Sequence, residues 1–290
     1  MKSILFTGRG TSGSWQIRGV QLGAAVGGAV VPVAAQKDID EADLVVLVKR
    51  PTEELQERLK RLRVPLVWDV VDAWPGHVGN TWDRFACMCW LETQIRTLNP
   101  AAVVAATKAM AADVGELFPK LPVLYLPHHY RPSPRQFVVR DRIYKVGYEG
   151  SPRYYGEWCS WVQSWCDRNS ADFLDSLSGP DDLLSVDVVL ALRNHDGYAP
   201  RLWKSNVKLA NAQGAGVPIV CGLEAGYLET MTPGTVMLAR TRLELVGALD
   251  LMKSAEVRGG MSLGLREAAG RYALPVIAER YRGWLEDIAG

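Results

Sequence analysis

The stretch Ala42 to Val48 (ADLVVLV) constrains this chain more than any other feature. A half-exposed strand alternates apolar and polar residues, whereas a strand of a parallel sheet, covered by helices on both faces, reads as a nearly unbroken apolar run. Runs of the same kind recur at Ser3 to Thr7, Ala29 to Ala34, Val64 to Val71, Ala101 to Ala106 and Leu121 to Leu126, with helical periodicity in several of the intervals. Ser14 to about Ala25 carries Ile17, Gln21, Leu22 and Ala25 at helical spacing. Thr52 and Thr107 stand where N-caps belong, before Leu55, Leu59 and Leu62 in one case and Met110, Val114, Leu117 and Phe118 in the other. On the wet side of the Thr52 helix, Glu54/Arg58 and Glu57/Arg61 are spaced to pair. A helix after Thr81 is expected to turn Phe85, Met88, Ile95 and Leu98 inward. Regular alternation of this kind implies parallel strands joined by right-handed crossovers.

Pro127 to Phe137 (PHHYRPSPRQF) breaks the pattern and reads as an interdomain connection. A second series follows: strands at Tyr144 to Tyr148, Asp172 to Leu177, Val186 to Leu192, Pro218 to Cys221 and Val236 to Ala239, with helices at Glu157 to Arg168 and Ser205 to Gln213. From Pro275, the residues Ile277, Tyr281, Trp284, Leu285 and Ile288 share one face of a closing helix. The expected organisation is a domain over 1–130, a linker over 131–143, a second domain over 144–272, and a helix over 273–290 that packs back on the first.

Composition removes whole classes. The 290 residues carry 33 basic and 32 acidic side chains, so bulk attraction to nucleic acid is not indicated. Cysteines at 87, 89, 159, 166 and 221 form neither an even disulfide framework nor a zinc-ligand spacing, which suggests a reducing, cytoplasmic setting. Gly19 to Gln36 is too weakly apolar for a membrane helix. A signal peptide would waste the strand Ile4 to Thr7 upstream of it.

Two segments carry candidate chemistry. Gly8-Arg9-Gly10-Thr11-Ser12-Gly13 is a G-x-G-x-x-G between a strand and a helix, the pattern that holds a dinucleotide pyrophosphate. The acidic residue that should follow the second strand and grip a ribose is missing, since that strand ends in Ala34-Ala35-Gln36 and Asp38 lies beyond it. An NAD-dependent oxidoreductase is therefore the alternative reading. The second segment runs from Lys204 to Val220 (KSNVKLANAQGAGVPIV). Ser205 would cap a helix whose first amides face an anion, with Lys204, Lys208 and Asn211 along one side, although a solvated lysine face has the same spacing. Arg193 stands at the carboxyl end of the preceding strand, the edge where open α/β sheets bind ligands.

The Lys204 to Val220 segment resembles the donor site of glycosyltransferases of the GT-B fold, especially the family 4-like (glycosyl transferases group 1) enzymes, where K-S-x-x-K precedes E-A-x-A-x-G-x-P-V-V. Val67 to Trp74 (VWDVVDAW), Leu91-Glu92 with Ala101 to Thr107, Leu126 to Tyr130, and Val146 to Arg153 (VGYEGSPR) resemble further motifs of that group, in the same order along the chain. The resemblance implies two Rossmann-like domains with parallel sheets facing a central cleft, and a final helix that crosses back. It implies transfer of a hexosyl or pentosyl group from a UDP- or GDP-sugar to a hydroxyl acceptor. The acceptor would be a glycan or, alternatively, a hydroxymethylated base in phage DNA. A nonenzymatic relative of the same fold is a further alternative.

Carried over residue by residue, Gly150, Ser151, Arg153, Arg193, Lys204, Ser205, Lys208, Asn211 and Glu229 would bind the donor. Asn211 replaces the glutamate that usually contacts the ribose, and Glu229 falls near the family's later glutamate. Opposition of cations and helix amides to the departing diphosphate would require no metal and no tightly bound cofactor. Asp72 and His77 are the candidate bases, both in the loop after an N-terminal-domain strand, if the anomeric centre inverts. Gly10, Thr11, Ser12, Gly13 and Trp74 would form the acceptor side. Of the adjacent His128 and His129, at most one can face the cleft.

Overall fold

The computed structural model describes residues 2–72, 83–132, 135–177, 180–194 and 197–290. Two wholly parallel sheets organise it. The first contains β1 (Ile4–Gly8), β2 (Ala29–Val30), β3 (Leu44–Val48), β4 (Leu66–Val71), β5 (Ala102–Ala105) and β6 (Val123–Tyr125) in the order β2-β1-β3-β4-β5-β6. The second contains β7 (Lys145–Glu149), β8 (Asp172–Leu177), β9 (Val188–Ala191), β10 (Ile219–Cys221) and β11 (Met237–Leu238) in the order β11-β10-β9-β7-β8. Strand order reverses between β1 and β3 in one sheet and between β7 and β9 in the other. In doubly wound sheets, ligands bind outside the carboxyl ends of strands at that reversal.

The apolar runs behave as their lack of alternation implies. In β3, Val45 and Leu47 enter the core on one face, while Leu44, Val46 and Val48 enter the core on the other. Val188 and Leu190 of β9 are likewise separated from Val189 and Ala191. Each such valine or leucine contributes about 1.5–3 kcal/mol by leaving water. Helix Leu274–Ala289 lays Ile277, Ala278, Tyr281 and Leu285 against the β1, β3 and β4 side chains of the first sheet.

One insertion crosses between the lobes. The short helix Tyr198–Leu202 follows β9 of the second sheet, yet Ala199 and Trp203 belong to the core beneath the first. Trp203 lies against Trp90 with the rings tilted by 41°, and its Nε1 donates to Asp113 at 2.7 Å. Tyr198 donates to the same carboxylate at 2.9 Å.

Several local expectations are corrected. The second strand stops at Val30, because Pro32 offers no amide and Val33 adopts a left-handed φ of 49°. Helix Gln36–Asp40 follows instead of a loop, and Asp38 accepts the Ala35 amide at its start. Phe85 is 79% exposed, while helix Arg84–Leu98 buries Cys87, Met88, Leu91 and Ile95. Glu57 pairs with Lys60 rather than Arg61, because the helix ends at Leu59. Ser205 caps nothing: the donor-segment helix is Val207–Ala215, preceded by Asn206, so Lys204 lies outside it. Helices Ala225–Thr230, Arg242–Leu251 and Ala255–Ala269 are additional to the elements that the sequence pattern predicts.

Candidate functional site

The site begins where β3 and β4 end. Lys49 and Val71 both take left-handed conformations, with φ of 68° and 57°. For a β-branched residue such as Val71 this is a rare conformation that costs on the order of 1–3 kcal/mol, and such strain collects where a neighbouring side chain must be aimed. Here the turns set Lys49 and Asp72 side by side, 2.8 Å apart, above the sheet. The Lys49 carbonyl is held by Trp68 Nε1 at 2.7 Å. Lys204, from the second lobe, closes on the other carboxylate oxygen of Asp72. Burial alone would raise the Asp72 pKa, but Lys204 and Lys49 outweigh it and hold the carboxyl well below the usual range. Asp72 is thus an ionised clamp between two lysines and a weak base.

The opposite wall comes from the ends of β7 and β9. Glu149, the last residue of β7, is followed by Gly150, whose φ of 144° lies outside the comfortable range of other residues. A Cβ at Gly150 would lie 2.7 Å from Lys208 Nζ, so the missing side chain is what admits the lysine. Lys208 also rests on the Tyr148 ring, 4.5 Å from its centre. Burial and the neighbouring Arg193 lower the Lys208 pKa well below the ordinary lysine value, with Glu149 and Glu224 acting against them. Arg193 pairs with Glu224 at 3.2 Å, both side chains largely buried. Burial raises Glu149, with Lys208 and the Asn211 amide opposing it. Asn211 is committed on both sides: its amide nitrogen donates to Glu149 at 2.7 Å, and its oxygen accepts the Arg131 backbone amide at 3.0 Å.

Between these walls lies a cavity of about 310 Å³, to which Asp72, Lys49, Ser205, Lys208, Glu149 and His128 all contribute. The first lobe also supplies Ser12 and Gly13. His128 faces this cavity, while His129 turns to Gln21 at 2.9 Å, as adjacent residues on an extended chain should. Burial, followed by Arg18, lowers the pKa of both imidazoles, that of His129 to about 3, so both are neutral. Asn206 is fully buried and grips the His128 backbone, accepting its amide at 2.7 Å and donating to its carbonyl at 3.3 Å.

Thus Asp72, Gly150, Lys204, Ser205, Lys208, Asn211 and Arg193 converge around one cleft. Others are placed elsewhere. Ser151 and Arg153 are exposed, the latter lying on the Tyr154 ring and donating to its hydroxyl at 2.6 Å. Glu229 accepts the amides of Lys108 and Ala109 at 2.8 and 3.3 Å, so it caps helix Lys108–Leu117 across the lobe interface. Gly10 has a φ of 85° and packs on Pro32, and Thr11 is exposed at the rim. His77 and Trp74 lie outside the described residues. Lys49 and Glu149 were missed, although each is a charged residue at the end of an apolar strand. Among the described residues no cluster of three metal-ligating side chains occurs. No described helix is long and apolar enough to cross a membrane.

Neither a protein-family model nor any curated protein sequence matches the chain. Solved structures do. Anabaena Alr3699/HepE, in complex with UDP and glucose, superposes with a TM-score of 0.67 at 13% identity, covering 99% of this chain and 100% of that one. Sucrose-phosphate synthase (tll1590) from Thermosynechococcus elongatus gives 0.67 at 10%, covering 99% of each. The lipopolysaccharide outer core galactosyltransferase WaaB in its apo form gives 0.59 at 10%, covering 98% and 99%. The architecture shared with these glycosyltransferases, two parallel-sheet lobes around a cleft, is the GT-B fold.

Proposed function

We propose that this chain is a glycosyltransferase that uses a UDP-sugar as donor and a hydroxyl compound as acceptor. The observation that carries the reading is the gathering of three cations about the cleft: Lys208 lines the cavity where Gly150 leaves it room, Arg193 is near enough to lower its pKa, and Lys204 reaches Asp72 on the facing wall. Similar structures that hold UDP and UDP-glucose support the choice of nucleotide. In the reaction, an acceptor oxygen bonds to the anomeric carbon as the bond from that carbon to the diphosphate oxygen breaks, its electron pair leaving on UDP. Negative charge grows on the diphosphate, and preorganised cations stabilise it most where it is greatest, in the transition state.

Because Asp72 is clamped and weakly basic, the acceptor proton passes in this reading to the departing diphosphate oxygen, which becomes basic as the bond breaks. Asp72 then serves to hold Lys49 and Lys204 in place. The side chains of the cleft supply the positive charge, and activity is expected to persist in EDTA. Five free cysteines suit a cytoplasmic setting.

Thermal unfolding with UDP, GDP and NAD tests the proposal. UDP at a hundred times its Kd should stabilise the protein by about 2.7 kcal/mol. Lys208→Ala should lose most of that, and UDP-glucose should be turned over by the intact protein only. Stabilisation by NAD alone would replace the proposal with the oxidoreductase reading.

A further inference from the structure

Among the side chains that line the donor cavity, two carry buried polar atoms with no hydrogen-bond partner among the described residues: His128, through both ring nitrogens, and Glu149, through Oε2. Buried polar atoms are almost always paired in folded proteins, because an orphan forfeits its bonds to water without replacement. Two such side chains on the lining of one cavity mark where a ligand would complete the bonding.

The chain around both groups is held in place. Between Leu126 and Arg131, Arg18 donates to the Leu126 carbonyl, Asn206 grips the His128 amide and carbonyl, and the Tyr130 amide donates to the Tyr272 carbonyl at 3.1 Å. The Arg131 amide donates to Asn211 at 3.0 Å. On this stapled segment the His128 ring, 1% exposed, is left unbonded, while the His129 ring meets Gln21. Asn211 also donates to Glu149 Oε1 at 2.7 Å, which leaves Oε2 over. One short stretch, Asn206 to Asn211, therefore positions both unpaired groups and carries Lys208 between the two asparagines.

The two groups specify the chemistry of what they bind. An ionised carboxylate only accepts hydrogen bonds, and a neutral imidazole offers one donor and one acceptor. Burial, followed by Arg18, keeps His128 neutral. A phosphate oxygen without a proton cannot answer Glu149, whereas a hydroxyl can donate to the carboxylate and can take either role with the imidazole. Lys208, on the same lining, suits the phosphates.

We propose that His128 and Glu149 determine donor specificity: each takes a hydroxyl of the nucleotide sugar, so that the cavity recognises a hydroxylated ring beside the diphosphate at Lys208. The inference rests on the glycosyltransferase reading and names the groups that select its donor. Those hydroxyls belong either to the transferred sugar or to the ribose, and binding measurements separate the two sources. An orphaned ring weakens the folded state until the donor arrives, so an apolar ring of similar shape in its place should leave the ligand-free protein at least as stable.

The full chain, without acceptor, would be titrated calorimetrically with UDP, 2′-deoxy-UDP, 3′-deoxy-UDP, UDP-glucose, UDP-galactose and UDP-N-acetylglucosamine. If the hydroxyls are the sugar's, wild type should bind at least one UDP-sugar about tenfold more tightly than UDP; if they are the ribose's, it should bind UDP about tenfold more tightly than a deoxy form. That preference should fall by about fivefold or more in H128F and in E149Q. In E149Q the amide oxygen stays with Asn211 and the NH2 group faces the cavity, so a charged acceptor becomes a donor. H128F should melt at or above the wild-type temperature, the reverse of what a merely structural imidazole would give. E149Q, nearly isosteric, decides the matter should H128F fail to fold. The proposal is overturned if wild type shows neither preference, or if the preference survives unchanged in folded H128F or in E149Q. Failure of UDP to bind at millimolar concentration removes the donor reading and this assignment with it, whereas UDP binding without either preference removes the assignment alone.

Discussion

Asp72→Asn separates two roles that a carboxylate in a cleft can play. The side chain is 9% exposed and touches Lys49 at 2.8 Å, with Lys204 on its other oxygen. Removing one partner of a buried ion pair costs about 3–5 kcal/mol, because the other charge stays behind. Lys49 is 30% exposed and can turn to water, so the lower end, about 3 kcal/mol, is the expected loss of stability at pH 7. The pH dependence has a definite sign. Since the folded-state pKa is depressed, the wild-type advantage is complete above the unfolded value near 3.8 and fades as pH falls through the lower folded value. Urea unfolding at pH 7 and under progressively more acid conditions should therefore show the two proteins converging only in strong acid.

Binding should move the other way. A unit negative charge removed roughly 10 Å from the diphosphate, at an effective dielectric of about 40, is worth about 1 kcal/mol, or some fivefold tighter UDP binding. A general base would behave differently: its loss lowers kcat by about 10²–10⁴ without strengthening UDP binding. Weaker UDP binding by Asp72→Asn together with a stability change under 1 kcal/mol would refute the clamp.

Trp203→Ala empties a bulky site in the first lobe's core from a residue of the second, and should cost about 3–5 kcal/mol, lowering the melting temperature by roughly 10 °C in calorimetry. Asn211→Asp would face the Glu149 carboxylate across the 2.7 Å now spanned by an amide donor, at a cost of about 2–4 kcal/mol. One carboxyl pKa must then rise, so the deficit in urea midpoint should be larger at pH 8 than at pH 5. Lys208, whose pKa burial and Arg193 depress, should regain affinity for its proton beside a diphosphate. UDP titrations at pH 9 in buffers of different ionisation enthalpy should accordingly show proton uptake, and Lys208→Ala should abolish it.

The parts of this molecule that local chemistry decides were legible in its sequence. Thr52 and Thr107 cap their helices, accepting Leu55 and Met110 amides at 3.2 and 3.1 Å, because a cap depends on residues three apart. Strands β3, β5 and β9 are apolar throughout, as buried parallel strands should be, whereas β8 (DFLDSL) carries two aspartates and is mostly exposed or half-buried. Ser205 misled because Asn206, one residue on, is engaged by the His128 backbone of the other lobe, and a distant partner chose where the helix begins. The pairing of Lys204 with Asp72 spans 132 residues and leaves no periodic trace. Glu229 was carried over from the family pattern as a donor residue, whereas its carboxylate holds the start of a helix in the opposite lobe. Asn211 stood out as a departure from the family pattern; its reason, the adjacent Glu149 carboxylate, required coordinates.

The placement of Ala199 and Trp203 bears on how such a protein can be cut and recombined. A chimera joined in the proline-rich connection, meant to exchange one sugar specificity for another, would carry a foreign indole into the heart of the half it was supposed to leave alone. The first half expressed by itself would present a solvent-filled socket beside Trp90. A seam that respects the packing must keep the segment from Tyr198 to Trp203 with the half whose interior it completes, even though the chain order assigns it to the other.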